Sequence, residues 1–264
     1  MDDILKTKHV EVSASKPSLQ LCSPIMELRQ YTLHPGQRDV LIELFERAFI
    51  ETQEAVGITV IGQFRDLEDP NRFVWLRGFS DMDKRLAVLQ AFYGGVVWKE
   101  HREAANATMV DSDNVLLLRP ARPTSGFSLD PRDRPPRNTQ KIPPGLVVAT
   151  ILSFETPPDS NFLDFFEGTL APALSRRGAS ILSYFVTEES ANTYPALPVR
   201  EGEQVFVWFS RFRDQAAYDE HVAALARDQQ WHNQVWEPML RRLKADPEVL
   251  KLAPTPRSLA ASSE

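Results

Sequence analysis

From Met26 the chain alternates apolar and polar residues through MELRQYTL (26–33), the period-two pattern of a strand, and His34-Pro35-Gly36 ends the run. Val40, Leu41, Leu44, Phe45 and Ala48 then recur at helical spacing, which predicts an amphipathic helix over 40–54. ITVIGQF (58–64) and FVWLRGF (73–79) read as strands joined by a polar hairpin at 66–72 that contains Pro70. Ser80 and Asp83 have capping-box spacing and open a helix. Gly94-Gly95 breaks it, a helical pattern resumes from Val96 to about Met109, and 114–119 is a fourth strand. The order is β-α-β-β-α-β, the ferredoxin-like arrangement.

A second run repeats the first. Shifting the sequence by 133 positions lays Phe73, Val74, Trp75, Phe79, Asp81, Ala91 and Trp98 onto Phe206, Val207, Trp208, Phe212, Asp214, Ala224 and Trp231, seven identities in 26 ungapped positions. A shift of 121 aligns GITVIGQF (57–64) with GASILSYF (178–185). The difference, 12 residues, is the extra length of loop 186–205 over loop 65–72. The second copy reads as strand 146–154, helix 161–176, strands 179–186 and 204–212, helices 214–227 and 231–244, and a short strand around 249–252.

The expected organisation is a flexible tail over 1–24, a first ferredoxin-like domain over 25–120, a linker over 121–145, a second, diverged domain over 146–252, and a tail over 253–264. Seven prolines between 120 and 145 mark the linker. A ferredoxin-like sheet covers one face with helices and leaves the other bare. The second copy is its natural cover, so the expected fold is α+β, two tandem ferredoxin-like domains packed sheet to sheet as a pseudo-dimeric α+β barrel with room for a pocket between the sheets.

Composition changes this picture little. A net charge of −6 gives no reason to expect nucleic acid or an anionic membrane as partner. The single cysteine, Cys22, excludes an internal disulfide and a thiolate-clustered metal site. No apolar run reaches the ~18 residues of a membrane span, and the start resembles neither a secretory signal nor a transit peptide. The expectation is a cytoplasmic protein. His9, His34, His101, His221 and His232 show no paired metal-ligand spacing, and there is no nucleophile elbow, P-loop or dinucleotide fingerprint. No cofactor is predicted.

Candidate chemistry comes from side chains that share a face. Alternation along the third strand separates Val74, Leu76 and Gly78, expected under the helices, from Phe73, Trp75, Arg77 and Phe79, expected inside the barrel. Arg29 and Tyr31 are expected beside Arg77. Two arginines in an aromatic setting point to a bound anion, a carboxylate first of all. The alternative pairs Arg29 with Glu27 or Glu54, or leaves it exposed at a strand end. Trp98, His101, Arg102, Ala105 and Met109 share one helix face, and His101 is either a general base or a core histidine bonded to a backbone carbonyl. Tyr93 and Asn106 are candidates for positioning a substrate, or cap and packing residues. The second copy has Thr150, Leu152, Ser210 and Gln234 where the first has Arg29, Tyr31, Arg77 and His101. Its Tyr218, His221 and Leu225 line one helix face, followed by Trp231 and Trp236, a spacing that usually marks core.

ELRQYTLHPG, VWLRGFSD and FYGGVVWKEHREAANATMVDSDNVLLLRP together resemble the NIPSNAP family of dimeric α+β barrel proteins. The resemblance covers 26–120 well and 146–252 as a diverged repeat. It implies the fold and two kinds of role. One is a cofactor-independent enzyme (lyase, isomerase, cyclase or oxygenase) acting on a small, partly apolar carboxylate. There His101, Arg102 and Tyr31 are the catalytic candidates, and Arg29, Arg77, Trp75, Tyr93, Trp98 and Asn106 hold the substrate. The other is a non-catalytic binding or scaffold protein. Related barrels hold haem against a helix histidine, which makes His221 an alternative haem ligand. A homodimer or higher homo-oligomer is also compatible.

Overall fold

In a computed structural model, which describes residues 23–261, the predicted elements form in the predicted order. The first half holds β1 (Ile25–Leu33), α1 (38–55), β2 (Thr59–Asp66), β3 (Arg72–Phe79), α2 (Met82–Gly94), α3 (Val96–Asn106) and β4 (Met109–Pro120). The second holds β5 (Leu146–Phe154), α4 (160–175), β6 (Ser180–Thr187), β7 (Gln204–Phe212), α5 (Gln215–Arg227), α6 (229–240) and β8 (Glu248–Pro254). Apart from Ser23 and Pro24, the expected tail with His9 and Cys22 lies outside the described residues.

All eight strands pair antiparallel in one closed barrel, in the order β1-β3-β2-β8-β5-β7-β6-β4. Cut at its two seams, the ring falls into β4-β1-β3-β2 and β8-β5-β7-β6, each the ferredoxin-like order. The seams are short: Phe64–Asp66 against 252–254, and 118–120 against 185–187. The halves also share a local detail. The helix after the first strand widens by one π turn in each half, at Phe45–Phe49 in α1 and at Phe166–Leu170 in α4.

The strand faces are the reverse of the expectation. Met26, Leu28, Val74 and Leu76 point into the barrel, where they meet Val147, Ala149, Val207 and Phe209 of the other half. Phe73, Trp75 and Phe79 pack under the helices with Phe45, Phe49 and Phe92. Size decides which way β1 and β3 face. An eight-stranded barrel is just wide enough for its own side chains; β1 and β3 contribute only Met26, Leu28, Val74, Leu76 and Gly78 to it, and the rings that share the interior are Phe64, Phe127, Phe185 and Phe209. Gly78 belongs to the crowded interior, since a Cβ there would lie 1.9 Å from Ser23 Oγ. Among the described residues, side chains of both halves pack together where a pocket between the two sheets was expected.

Two segments expected to be loose are anchored. The 121–145 connection has one short 3-10 turn, but its Phe127 is buried inside the barrel against Phe185 and Phe209. Ser125 donates from Oγ to the Tyr184 carbonyl at 2.8 Å. Beyond β8 the expected C-terminal tail is buried over 258–260. Thr255 N–H donates to Gln63 O at 2.9 Å, and the buried Arg257 donates to the carbonyls of Glu46 and Pro135 and pairs with Glu51. Here Pro254, Pro256 and Ser258 belong to an irregular strap held by these bonds. The predicted capping box also shifts by a residue: Asp81, rather than Ser80, caps α2 by accepting from Lys84 N–H at 2.6 Å.

Candidate functional site

Each half encloses one chamber between its sheet and its helices, and the two chambers are equivalent position by position. Across β1 and β3, Glu27 faces Arg77, Arg29 faces Trp75 and Tyr31 faces Phe73. Across β5 and β7, Val148 faces Ser210, Thr150 faces Trp208 and Leu152 faces Phe206. Asp81 and Asp214 cap the following helices in the same way, and Arg85 and Tyr218 each stand four residues beyond their cap. What differs is the chemistry of the side chains.

In the first half three arginines converge on one carboxylate. Glu27 Oε2 accepts from Arg29 Nη1 at 2.6 Å and from Arg77 Nε at 2.7 Å, while Oε1 accepts from Arg85 Nε at 2.7 Å. All four side chains are at most 1% exposed. Burial alone would push the Glu27 carboxyl up, but Arg77, Arg29 and Arg85 outweigh it and hold the group well below the ordinary carboxylate range. Arg29 Nε also donates to the Tyr31 hydroxyl at 3.0 Å, and Arg77 Nη1 to Gln53 Oε1 at 3.5 Å and the Tyr93 hydroxyl at 3.2 Å. Arg77 lies over the Trp75 ring at 5.1 Å. The cluster fills its chamber. What is left is a cavity of about 30 Å³ lined by Tyr31, Gln53, Trp75, Tyr93, Trp98 and aliphatic and phenyl groups, room for about one water.

The second half replaces those long charged chains with Val148, Thr150, Ser210 and Tyr218, and the space they vacate is a groove of about 280 Å³. Trp208, Phe212, Leu225, Trp231 and Trp236 make its walls mostly apolar. A π turn at His232–Trp236 of α6, without counterpart in α3, carries His232 and Trp236, both of which line the groove. Such turns are frequent at functional sites. His221 lines it too. Its Nδ1 lies 2.9 Å from the Arg177 carbonyl oxygen, its ring tilts against Phe212 with centroids 5.0 Å apart, and burial holds its pKa below the ordinary histidine value. A neutral imidazole that donates from Nδ1 keeps its lone pair on Nε2. Burial also raises the pKa of the Tyr218 hydroxyl. The groove therefore offers one base and one weak acid in an apolar setting, a combination suited to moving a proton.

The predicted site residues divide sharply. Arg29, Arg77, Tyr31, Trp75 and Tyr93 do come together, but on the helix side of the sheet and around Glu27, so the ion-pair alternative for Arg29 is the one realised. Glu54, the other partner considered, pairs with Arg134. Trp98 lines the small cavity. His101 is half-buried with its ring edge-on to Phe49, outside that lining, and Arg102 and Asn106 are exposed on α3. An amphipathic stripe on α3 spreads over more than one surface, and only its Trp98 end reaches the chamber. His221 does line a cavity, and its volume of about 280 Å³ lies at the lower edge of the ~300–1,000 Å³ of ligand sites, a size suited to a small molecule. Glu27 as the hub, Arg85, and the groove-forming Val148, Thr150 and Ser210 were not picked out as site residues. The one available signal was Glu27 standing two positions before Arg29 on the same strand face.

Residues 26–123 match the NIPSNAP family model. Among solved structures, a protein from Fusobacterium nucleatum provisionally named a monooxygenase is similar at 10% identity, covering 88% of this chain and 93% of its own, with a TM-score of 0.53. A NIPSNAP-like domain protein from Burkholderia xenovorans is 27% identical over 41% of this chain and 96% of its own, with a TM-score of 0.36. A NIPSNAP family protein from Agrobacterium tumefaciens is 22% identical over 38% of this chain and 90% of its own, with a TM-score of 0.35. No curated protein matches. The likeness to the first of these, which spans both halves, is one of fold. Among the described residues no helix is long and apolar enough to cross a membrane.

Proposed function

We propose that this chain, which carries a NIPSNAP domain over residues 26–123, binds a small, largely apolar molecule in the groove of its second half and that His221 takes a proton from it. One observation carries the reading: the only side chain in that groove with a pKa held below neutrality by burial is a histidine whose Nδ1 is tied to a backbone carbonyl. A positioned base at an apolar wall is what cofactor-independent isomerases, lyases, cyclases and oxygenases share in their first step, removal of an acidic C–H or O–H proton. The substrate class follows from the lining. Mostly aromatic and aliphatic walls against Thr150, Ser210, Tyr218 and two histidines suit a flat, weakly acidic molecule such as a phenol or an enolisable ketone. The expected carboxylate partner of Arg29 and Arg77 gives way to this reading, because Glu27 pairs with both arginines and the about 30 Å³ left in their chamber is too small for a carboxylate substrate.

The test uses 2-naphthol, a flat phenol whose neutral and ionised forms emit at different wavelengths. Titration should quench Trp208, Trp231 and Trp236, and Val222→Trp, which fills the groove from its exposed rim, should abolish the quenching without unfolding the protein. Bound probe should show naphtholate emission that His221→Phe removes while binding persists. Binding that survives Val222→Trp places the ligand elsewhere and overturns the proposal. Binding without any His221-dependent emission supports instead the non-catalytic alternative, a binding protein that uses the same groove.

A further inference from the structure

The first half poses a separate problem of charge. Three guanidiniums and one carboxylate leave a surplus of two positive charges in a cluster at most 1% exposed. Arginine does not shed its proton, so the surplus stays, and an uncompensated buried charge costs several kcal/mol. Unspent donors surround the same spot. Arg77 Nη2 and Trp75 Nε1 are buried with no hydrogen-bond partner. The Tyr31 and Tyr93 hydroxyls accept from Arg29 and Arg77, which leaves each its own hydrogen to give. Trp75, Tyr31 and Tyr93 all line the 30 Å³ cavity. A water placed there would satisfy donors but leave the charge. An anion of similar size would do both.

The covering loop comes from the other half. In the 188–203 connection, which accounts for the 12 extra residues noted in the sequence, Asn192 Oδ1 and Thr193 Oγ1 accept from Arg85 Nη1 at 3.0 and 3.2 Å. Tyr194 stacks on Tyr93 with ring centroids 6.0 Å apart. The second half thus supplies the roof of the first half's chamber, with neutral oxygens where the arginines face outwards.

We propose that the first half holds a small monovalent anion of halide size in this cavity, against Trp75 and the two tyrosine hydroxyls, with the Arg77 guanidinium behind the Tyr93 hydroxyl that it donates to. The site is independent of the groove and of whatever the groove binds. It selects by size as well as by charge, since the cavity admits about one water's volume and excludes polyatomic carboxylates. Its physical effect is to offset the surplus charge that Glu27 leaves, and to do so through donors that the protein has no other use for.

The experiment compares bromide with gluconate, an anion too large for the cavity, at constant ionic strength and millimolar concentrations. Bromide-soaked crystals should show an anomalous peak within hydrogen-bond distance of Trp75 Nε1 and the Tyr93 hydroxyl, and the melting temperature should rise saturably with bromide but not with gluconate. Trp75→Phe with Tyr93→Phe keeps the rings and the Glu27 ion pairs while deleting two donors, so the half-saturating bromide concentration should rise about tenfold or more. A variant that responds to bromide as the wild type does, or crystals whose bromide peaks all lie outside the cavity, would overturn the proposal. Should the double variant fail to fold, Tyr93→Phe alone and the wild-type peak still decide.

Discussion

Replacing Glu27 by Gln keeps the shape of the side chain and removes the one negative charge in the arginine cluster. Three guanidiniums that now lie 2.6–2.7 Å from a carboxylate would share a single neutral oxygen and an amide that donates rather than accepts. Breaking a buried ion pair by removing one partner costs ~3–5 kcal/mol. Here one partner serves three cations, so the loss belongs at the upper end, about 5 kcal/mol, against a total stability of ~5–15 kcal/mol for an ordinary protein. A quadruple variant separates charge from packing. E27V/R29T/R77S/R85Y installs the residues that the second half uses at the same register positions. It removes both signs together, and wholesale replacement of buried ion pairs is often close to neutral. Four substitutions should therefore cost less than one. Urea unfolding at neutral pH measures both, through a shift of the midpoint at constant slope.

The pH dependence gives a second check on the same residue. Since the folded-state pKa of Glu27 is depressed below its ordinary value of 4.5, its stabilisation is complete above that value and is lost as pH falls below it, when the unfolded chain takes up a proton that the folded one refuses. Glu27→Gln should flatten that acid limb. A single variant losing less than about 1 kcal/mol, or a quadruple variant less stable than the single one, would refute the account of the cluster as one carboxylate balancing three cations.

Phe127→Ala should cost about 3–5 kcal/mol, because the ring sits inside the barrel between Phe185 and Phe209 although it belongs to the connection between halves; chemical unfolding measures it. Asp81→Ala should cost about 1 kcal/mol as the loss of a helix cap, and Ser80→Ala close to nothing. His221 has a depressed pKa, so its contribution is present above the ordinary histidine value of 6.5 and falls away as pH drops through the region below it; melting curves of the wild type should show this step and those of His221→Gln should not. Arg257→Ala should speed amide exchange over 255–260, since that side chain ties the strap to α1 and to the Pro135 carbonyl.

The order of elements and their pairing were legible because two independent signals agreed. Alternation located the strands, and the shifts of 121 and 133 reproduced the register that pairs Arg29 with Trp75 and Thr150 with Trp208. Which way the strands faced was not legible from alternation, because both faces of β1 and β3 are buried. Alternation marks two sets of residues without saying which set closes the barrel. Volume does say it. Gly78, Val74 and Leu76 fit an eight-strand interior, and Phe73, Trp75 and Phe79 do not. For β1 and β3 a weighing by size places the two sets correctly, although Phe64, Phe185 and Phe209 of other strands do enter the interior.

The candidate site was hidden for a related reason. A reading that looks for chemistry-bearing side chains is drawn to Arg29, Arg77 and His101, yet the arginines are committed to Glu27 and the histidine stands outside the cavity. The groove exists because of what its floor lacks. Val148, Thr150 and Ser210 are small and inconspicuous, and they leave open the volume that Glu27, Arg29 and Arg77 fill in the other half. Trp208 and Trp231 then become walls of a groove, while their counterparts Trp75 and Trp98 border a cavity the size of a water molecule. The two halves thus use one architecture in opposite ways: one closes its chamber with charge and draws its roof from the other, and that other keeps its own chamber neutral and open. Exchanging the four charged residues for their neutral counterparts should, on this logic, open a second groove in the first half, and 2-naphthol bound with a stoichiometry of two rather than one would show it.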